Sequence, residues 1–381
     1  MRLQQLMRVP LLVAAAGLAG VFTLGSTAAA GPATTAPIGA LSGVSCLSST
    51  VMSKTQCWAV GHPTSKGGGV IITTANGGKT WTTQLQLQVS SLTFYSVSCT
   101  SASYCWVTGR GSSGPVIYAT ADGGKNWTAQ TVPKGLGGVT RGNISCSGNS
   151  DCWVAGSTAA LRPDEAVIAT TNGGATWKFQ TLPKVSDGMG QYAAISCTSA
   201  KDCVFTGIGA LTTTDGGAKW MSGTLKGALP FVAVSCSSAK DCAALGYSES
   251  AVPTNEAADI VTTTTGGASW VVSVKQVASV GELNGVTCWS GGCVAVGYGY
   301  TVTSKGPPAN YSFWPAIFAG KSTTTGMSWK RQTGPSTVSA LNDVSCASTK
   351  DCIAVGSTKS FTLGAILATT DGGTTWTSQQ P

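Results

Sequence analysis

Charge is scarce in this chain and histidine is nearly absent. Of 381 residues only 10% are charged, and His62 is the single histidine. One imidazole with no nucleophile motif near it excludes a Ser-His-Asp system. No run of Lys or Arg stands out, so the formal charge of +8 does not describe a nucleic-acid-binding patch. No second long apolar run follows the first thirty residues, so no membrane span is expected in the mature chain. Phosphate-loop and dinucleotide signatures are also missing, because the glycines punctuate strands and do not open helices.

What the chain has is glycine, 50 of them, with abundant Thr, Ser and Val. Gly and β-branched residues are poor in helix interiors and suit short strands joined by tight turns. The start is different. Arg2 and Arg8 precede an apolar run over Leu11–Leu24, and Ser26–Ala30 supplies small residues. That pattern predicts a secretory signal over 1–30, cleaved within 28–30, and then a short linker over 31–40. No cysteine follows the apolar run, which argues against a lipoprotein anchor. Cleavage would lower the formal charge from +8 to +6 by removing two arginines. The expected location is secreted or extracellular, with cell-wall association as one form of it.

All fourteen cysteines fall into seven local pairs: Cys46/Cys57, Cys99/Cys105, Cys146/Cys152, Cys197/Cys203, Cys236/Cys242, Cys288/Cys293 and Cys346/Cys352. Five pairs have five residues between them, Cys288/Cys293 has four and Cys46/Cys57 has ten. Behind an export signal, local disulfides are the expected chemistry. Zinc wants four ligands, and two thiolates per repeat with one histidine in the whole chain cannot supply them. No metal and no cofactor are therefore expected.

Behind each cysteine pair comes a turn that ends in tryptophan. The copies read TANGGKTW, TADGGKNW, TTNGGATW, TTDGGAKW, TTTGGASW, STTTGMSW and TTDGGTTW. Their tryptophans, Trp81, Trp127, Trp177, Trp220, Trp270, Trp329 and Trp376, lie 46, 50, 43, 50, 59 and 47 residues apart. That period is the size of one four-stranded propeller blade. The third copy shows the plan: strands over Gly142–Cys146 (a), Cys152–Gly156 (b), Ala166–Thr170 (c) and Thr176–Gln180 (d), alternating in direction. The first cysteine ends strand a and the second opens strand b, so each pair clamps the a–b hairpin. In the c–d turn Asn76, Asp122, Asn172, Asp215 and Asp371 can accept backbone hydrogen bonds, and the glycines permit positive φ. Thr265 and Thr324 replace that acceptor, and looser turns are expected there. One carboxylate per turn is too few ligands for calcium.

The fold expected is all-β, a seven-bladed β-propeller of four-stranded antiparallel blades over 41–381. The blades are placed at about 41–88, 92–134, 141–184, 192–227, 231–277, 283–333 and 341–380. Each is one continuous segment, so first and last blades share no strand unless Thr34–Ala40 joins the last.

The turn pattern resembles the Asp-box (BNR) repeat of sialidase-type propellers, a superfamily that includes photosystem II assembly factors and other glycoside hydrolases. The added Cys-x5-Cys hairpin resembles an exported bacterial class of such propellers. The resemblance implies the fold and leaves function to the site. Sialidases use three arginines, a tyrosine–glutamate pair and an aspartate. The mature chain has only Arg110, Arg141, Arg162 and Arg331, and the Arg-Ile-Pro-like segment ahead of the first box is missing. No catalytic residue is assigned.

In such a meander the a–b and c–d connections share one face of the disc, and the b–c and d–a connections share the other. The second face holds the variable loops, where binding residues collect. The longest insertion carries Trp314 beside Tyr298, Tyr300, Tyr311 and Phe313, rings suited to stacking on sugars or burying a partner's side chains. A second group is charged: Arg162, Asp164 and Glu165, then Glu256 and Asp259. The reading is a monomeric, non-catalytic module that binds glycan or protein through this face. The alternatives are a sialidase-like glycoside hydrolase with an atypical site, or a wall-associated structural or assembly protein.

Overall fold

The computed structural model describes residues 27–29 and, from 37 to 381, all but 65–67, 90, 140–142, 161–163, 184–192, 208, 225–229, 249–256, 276–278, 305–309 and 325. The chain winds into seven antiparallel sheets, each built around four strands of one continuous segment. Strands a to d are Ile38–Cys46, Cys57–Pro63, Gly69–Thr74 and Thr82–Leu87 in blade 1. They are Thr93–Cys99, Cys105–Gly111, Gly114–Thr120 and Asn126–Ala129 in blade 2. Blade 3 has Ile144–Cys146, Cys152–Thr158, Glu165–Thr170 and Lys178–Phe179, with Leu136–Gly138 also pairing on strand b. Blade 4 has Ala194–Cys197, Cys203–Thr206, Ala210–Thr213 and Met221–Ser222. Blade 5 has Phe231–Cys236, Cys242–Ser248, Ala257–Thr263 and Val271–Val274. Blade 6 has Val280–Trp289, Gly292–Ser304, Asn310–Thr323 and Gly326–Gln332. Blade 7 has Val338–Cys346, Cys352–Thr358, Gly364–Thr369 and Thr377–Gln379. The architecture is therefore the seven-bladed propeller expected from the repeat. Strand a of blade 1 starts at Ile38, inside the segment expected as linker. Thr27–Ala29, within the segment read as a signal, adds a fifth strand outside strand d of blade 2.

The core lies between blades. Seven buried clusters each draw residues from two consecutive blades, one cluster per junction. This explains why strand b is apolar at successive positions instead of alternating. In blade 1, Cys57 and Ala59 face blade 7, while Trp58 and Val60 face blade 2. A strand covered on both faces has no solvent side to leave polar. Each turn tryptophan packs back onto the preceding blade: Trp127 on Trp58 and Ile71, Trp220 on Trp153 and Val167, Trp376 on Val294 and Ile317.

All seven cysteine pairs are disulfides, each between residues directly opposite in the a–b ladder, with Cα atoms 3.9–4.1 Å apart. Blade 6 corrects the expected plan at Cys293. Its strand a runs past Cys288 to Trp289, and its strand b begins at Gly292, so Cys293 does not open the strand. The shorter spacing is the reason. Trp289 pairs with Gly292 across a tight turn in which Gly291 takes φ 91°, so the five-residue loop of most other blades is absent there. Cys288 and Cys293 still face each other, with Cα atoms 4.1 Å apart. The longer loops are capped from within. Ser199 and Ser238 donate to the carboxylates of Asp202 and Asp241 at 2.7 Å, and Ser348 to Asp351 at 2.8 Å.

The c–d turns sit on these loops. The first turn glycine donates its N–H to the carbonyl two residues ahead of the blade's second cysteine: Gly173 to Ser150 at 2.9 Å, Gly216 to Lys201 at 3.0 Å, Gly372 to Lys350 at 2.9 Å. The a–b and c–d connections therefore share a face. Within the turn, Asp122 Oδ1 accepts from the Asn126 N–H at 3.0 Å and from Thr120 Oγ1 at 2.8 Å. Asn126 donates again through its amide to Asp122 Oδ2 at 2.7 Å. The backbone N–H of Asn126, then its side-chain amide, hold the Asp122 carboxyl down to about 2. Asp215 is lowered in the same way by the N–H of Lys219 and the hydroxyl of Thr213. At Asp371 the upward push of burial is outweighed by the hydroxyl and N–H of Thr375 together, and the carboxyl is again lowered.

The two turns without an acidic or amide acceptor behave differently from each other. In blade 5 Thr265 Oγ1 takes over, accepting from the Ser269 N–H at 2.9 Å, so that turn keeps its shape and is not loosened. In blade 6 strands c and d run on to a Thr323–Gly326 pair, which rebuilds the turn as a tight hairpin.

Among the described residues the ring closes without a shared strand. Ile38–Cys46 pairs with strand b of its own blade, and blade 7 completes its sheet from 338–379. Residues 34–36 of the segment considered for sharing lie outside the described residues. Closure is made by side chains and by a backbone bond from the Ser49 N–H to the Ala347 carbonyl at 3.0 Å. The serine before the first cysteine of one blade accepts from the cysteine N–H of the next: Ser45 from Cys99, Ser98 from Cys146, Ser145 from Cys197, Ser196 from Cys236 and Ser235 from Cys288, at 2.9–3.1 Å. Ser345 accepts from Cys46 at 2.9 Å and carries the pattern over the seam. Asp343 adds a bond from the Val44 N–H, and Asn342 donates to the Leu41 carbonyl at 2.7 Å.

Candidate functional site

The opposite face carries the b–c and d–a connections, which touch one another: Gly68 N–H to the Leu92 carbonyl, Ala159 to Gly135, Lys359 to Thr337. Blade 6 breaks the uniformity there. Its strands b and c have 13 and 14 residues, while strand d has 7. Strand d reaches only to the Ile317–Gln332 pair and strand a only to Val280–Gly299. Beyond those pairs the insertion is an extension of the hairpin, with Tyr300 opposite Phe313 and Val302 opposite Tyr311.

Strand geometry divides the five aromatic residues between two faces of this ribbon. Paired residues share a face, and neighbours along a strand alternate. Tyr298, Tyr300, Tyr311 and Phe313 fall on one side. Their rings pack edge to face: Tyr298–Phe313 at 6.0 Å, Tyr300–Tyr311 at 5.6 Å. Trp314 falls on the other side, opposite Gly299, where a Cβ would overlap its indole. It is half-buried against the blade 5–6 core, with the Arg331 guanidinium 3.9 Å from its ring centre. A cation over the face of an indole is attracted by the ring quadrupole. Trp314 thus anchors the hairpin from behind.

A residue that the sequence did not single out completes the front. Phe361, at the tip of the blade 7 b–c loop, meets Phe313 edge to face at 5.3 Å. Its φ is 57°, in the left-handed region that a bulky side chain enters at a cost of roughly 1–2 kcal/mol. The loop imposes this: the Phe361 N–H bonds to the Thr358 carbonyl at 2.9 Å and the Thr358 N–H to that of Leu363 at 3.0 Å. The outcome is an apolar ridge across the blade 6–7 junction. Tyr311 is 52% exposed, Phe361 48%, Val302 46% and Leu363 44%. The sequence signal was the loop Lys359–Leu363, with two large apolar residues where a hairpin tip is usually polar.

Among the described residues the charged candidates do not come together. Asp164 closes the blade 3 b–c loop, its N–H on Thr158 Oγ1 at 3.0 Å, and Glu165 begins strand c opposite Ser157. Asp259 is buried in strand c of blade 5, opposite Gly246 and two blades away. Arg162 and Glu256 lie outside the described residues. His62 sits in strand b of blade 1, its Nδ1 3.0 Å from the Pro63 carbonyl oxygen. Among the described residues no cysteine is free and no cluster of three metal-ligating side chains occurs. No helix among them is long and apolar enough to cross a membrane.

The class defined by these observations is a disulfide-stapled, seven-bladed β-propeller with an apolar ridge on its variable face. No protein-family profile matches the chain, and no curated protein is similar to it in sequence. Solved structures are similar in fold. YCF48 bound to a D1 peptide is 17% identical with a TM-score of 0.51, over 77% of this chain and 84% of that one. The GH74 xyloglucanase from Xanthomonas campestris is 11% identical with a TM-score of 0.58, over 92% of this chain and 54% of that one. The GH74 enzyme from Niastella koreensis is 11% identical with a TM-score of 0.55, over 91% and 67%. At such identities the likeness is one of fold.

Proposed function

We propose that this protein is an exported, non-catalytic binding module that holds a partner protein through the ridge of Tyr311, Phe361, Val302 and Leu363. The observation that carries this reading is Phe361, a large apolar residue kept exposed at a strained φ beside other exposed apolar residues. Backbone strain persists where the surroundings impose it, and it gathers at functional positions. The rings of the ridge meet edge to face, so no flat ring face is left open on its own. That shape suits insertion into a partner's apolar surface better than stacking of a sugar on a flat open ring, so protein is favoured over glycan here. The YCF48 structure, a propeller bound to a peptide, is a precedent for the fold in this role. Export agrees with seven disulfides, which persist in oxidising compartments. The Asp-box resemblance of the turns fits the same reading, since such propellers include non-enzymes. The hydrolase alternative needs two carboxyl groups across a cleft, and of its candidates Asp164 and Glu165 belong to blade 3 and Asp259 to blade 5.

The test is peptide display panned on the purified mature domain, counter-selected on a Tyr311→Ala/Phe361→Gly variant, with a glycan array and a sialidase assay beside it. The expected result is enrichment of apolar, aromatic-containing peptides that bind the wild type alone. Sialidase turnover, or peptides that bind both proteins equally, would refute the reading.

A further inference from the structure

The turn-bearing face departs from its repeat in several blades, and at one junction three of the departures meet. The residue before the second cysteine is Asp in blades 3, 4, 5 and 7, as Asp151, Asp202, Asp241 and Asp351. In blade 1 it is Gln56, in blade 6 Gly292 and in blade 2 Tyr104. The third residue after the first cysteine is Ala102, Ala200 and Ala239 in blades 2, 4 and 5, Ser49 and Thr349 in blades 1 and 7, and Asn149 in blade 3. The residue before the turn tryptophan is Thr80, Thr176 and Thr375 in blades 1, 3 and 7, Lys219, Ser269 and Ser328 in blades 4, 5 and 6, and Asn126 in blade 2. Tyr104, Asn149 and Asn126 belong to different loops and two different blades. All three line one open depression of about 340 Å³ between blades 2 and 3, together with Asp122 and Thr128. Departures from a repeat that converge in space are where a site is expected to have been added to a scaffold.

The polar groups in the depression have defined duties. Asn149 Oδ1 is occupied by the Thr100 hydroxyl at 2.7 Å, so the side chain offers its NH2 donors. Asn126 gives its amide to Asp122, which leaves its Oδ1 as an acceptor, and Asp122 Oδ2 receives that amide and retains a second lone pair. Tyr104 is fixed as a flat wall, stacked on Trp106 with centroids 6.4 Å apart and planes 23° from parallel. An anion would be repelled by the Asp122 carboxylate. A cation would find one carboxylate where several oxygens are needed. A purely apolar ligand would leave the amides unpaired, which costs free energy. What fits is a neutral ring with vicinal hydroxyls and an apolar C–H face.

We propose that the blade 2–3 junction, on the face away from the aromatic ridge, is a saccharide subsite for one pyranose unit. Tyr104 takes the C–H face of the ring, Asn149 donates to one hydroxyl, and Asn126 and Asp122 accept from neighbouring ones. The site is small and open, so affinity for a single unit is in the millimolar range, and a longer glycan gains by occupying it repeatedly.

The experiment is saturation-transfer NMR on the mature domain with the methyl glycosides of glucose, galactose, mannose, xylose and N-acetylglucosamine as probes. The variants return the junction to the chain's own repeat: Asn149→Ala, Asn126→Thr and the two combined. These residues already occur at the same positions in other blades, so the turn and loop should keep their fold. The expected result is transfer to at least one glycoside, weakened about tenfold in the combined variant and unchanged in the ridge variant Phe361→Gly. Absence of transfer from every glycoside at millimolar concentrations, or equal binding by the reverted variant, would overturn the proposal. Loss of transfer in Phe361→Gly would also overturn it, by placing the sugar on the ridge.

Discussion

The Ser345 hydroxyl accepts a hydrogen bond from the backbone N–H of Cys46, 2.9 Å across the seam where the end of the chain meets its beginning. The same contact joins five other pairs of neighbouring blades. The closing junction also has its own buried cluster, in which Ile353 and Ile366 of blade 7 meet Leu41 and Ile72 of blade 1. The seam is thus built like an ordinary junction, with no strand exchanged among the described residues.

Equivalence of the seam has a direct consequence. Ser345→Ala and Ser98→Ala each remove one acceptor and leave a cysteine N–H unpaired, at a cost of about 1–3 kcal/mol. Thermal unfolding should show similar losses for the two. A much larger loss for Ser345→Ala would mark the seam as the weak point of the ring.

Reduction should destabilise the protein strongly. Each bridge closes a short loop, which the chain-entropy account values at about 2–3 kcal/mol. Seven such contributions are large against a net stability of roughly 5–15 kcal/mol, even if they do not add fully. Scanning calorimetry with and without reductant measures this. Equal melting temperatures would contradict it.

Gly174 occupies its turn for two reasons. Its φ is 91°, and a Cβ there would overlap Gln130 Oε1. That glutamine bridges the junction, accepting from the Trp177 indole at 2.8 Å and donating to the Gly173 carbonyl at 3.1 Å. Gly174→Ala should therefore cost more than the roughly 1 kcal/mol of backbone strain alone. Gly148→Ala meets nothing within 4 Å and serves as the control. Denaturant unfolding of the pair should separate them.

Three turns carry a lowered carboxylate, Asp122, Asp215 and Asp371. A depressed folded pKa contributes stability above the unfolded value of about 3.9. That contribution is lost as pH falls through the folded value, about 2 for Asp122. Stability should hold at neutral pH and decline between about pH 4 and 2. The triple variant Asp122→Asn/Asp215→Asn/Asp371→Asn should lose less over that window. Asn76 and Asn172 already make the same turn bonds without titrating. An identical acid profile in the triple variant would refute the assignment.

The repeat made much of the fold legible. Periodic tryptophans and cysteine pairs mark the blades because each blade buries both faces against like neighbours, so the same residues recur. At Cys293 the shorter spacing was visible in the sequence, but its effect on the strand ends was not, because a turn around Gly291 had to be known first. The blade 6 hairpin was legible as an insertion, but the division of its rings was not. Trp314 and Tyr311 lie three positions apart and face opposite ways only because one strand runs through both, and an insertion read as a loop does not show that strand. Phe361 was missed because its role arises from the adjacent blade, whose Phe313 lies 48 positions earlier in the chain. The Ser–Cys bonds were hidden for the same reason: they join blades, and a repeat read along the chain shows each blade alone.

The binding role of the ridge is tested most directly by titration calorimetry of a display-selected peptide against the wild type and Phe361→Gly. Glycine relieves the strain at φ 57° but removes a ring contact worth about 0.5–1.5 kcal/mol, so the fold should be affected little. The predicted result is an affinity loss of about tenfold or more at nearly unchanged melting temperature. Equal affinity for both proteins would contradict the account.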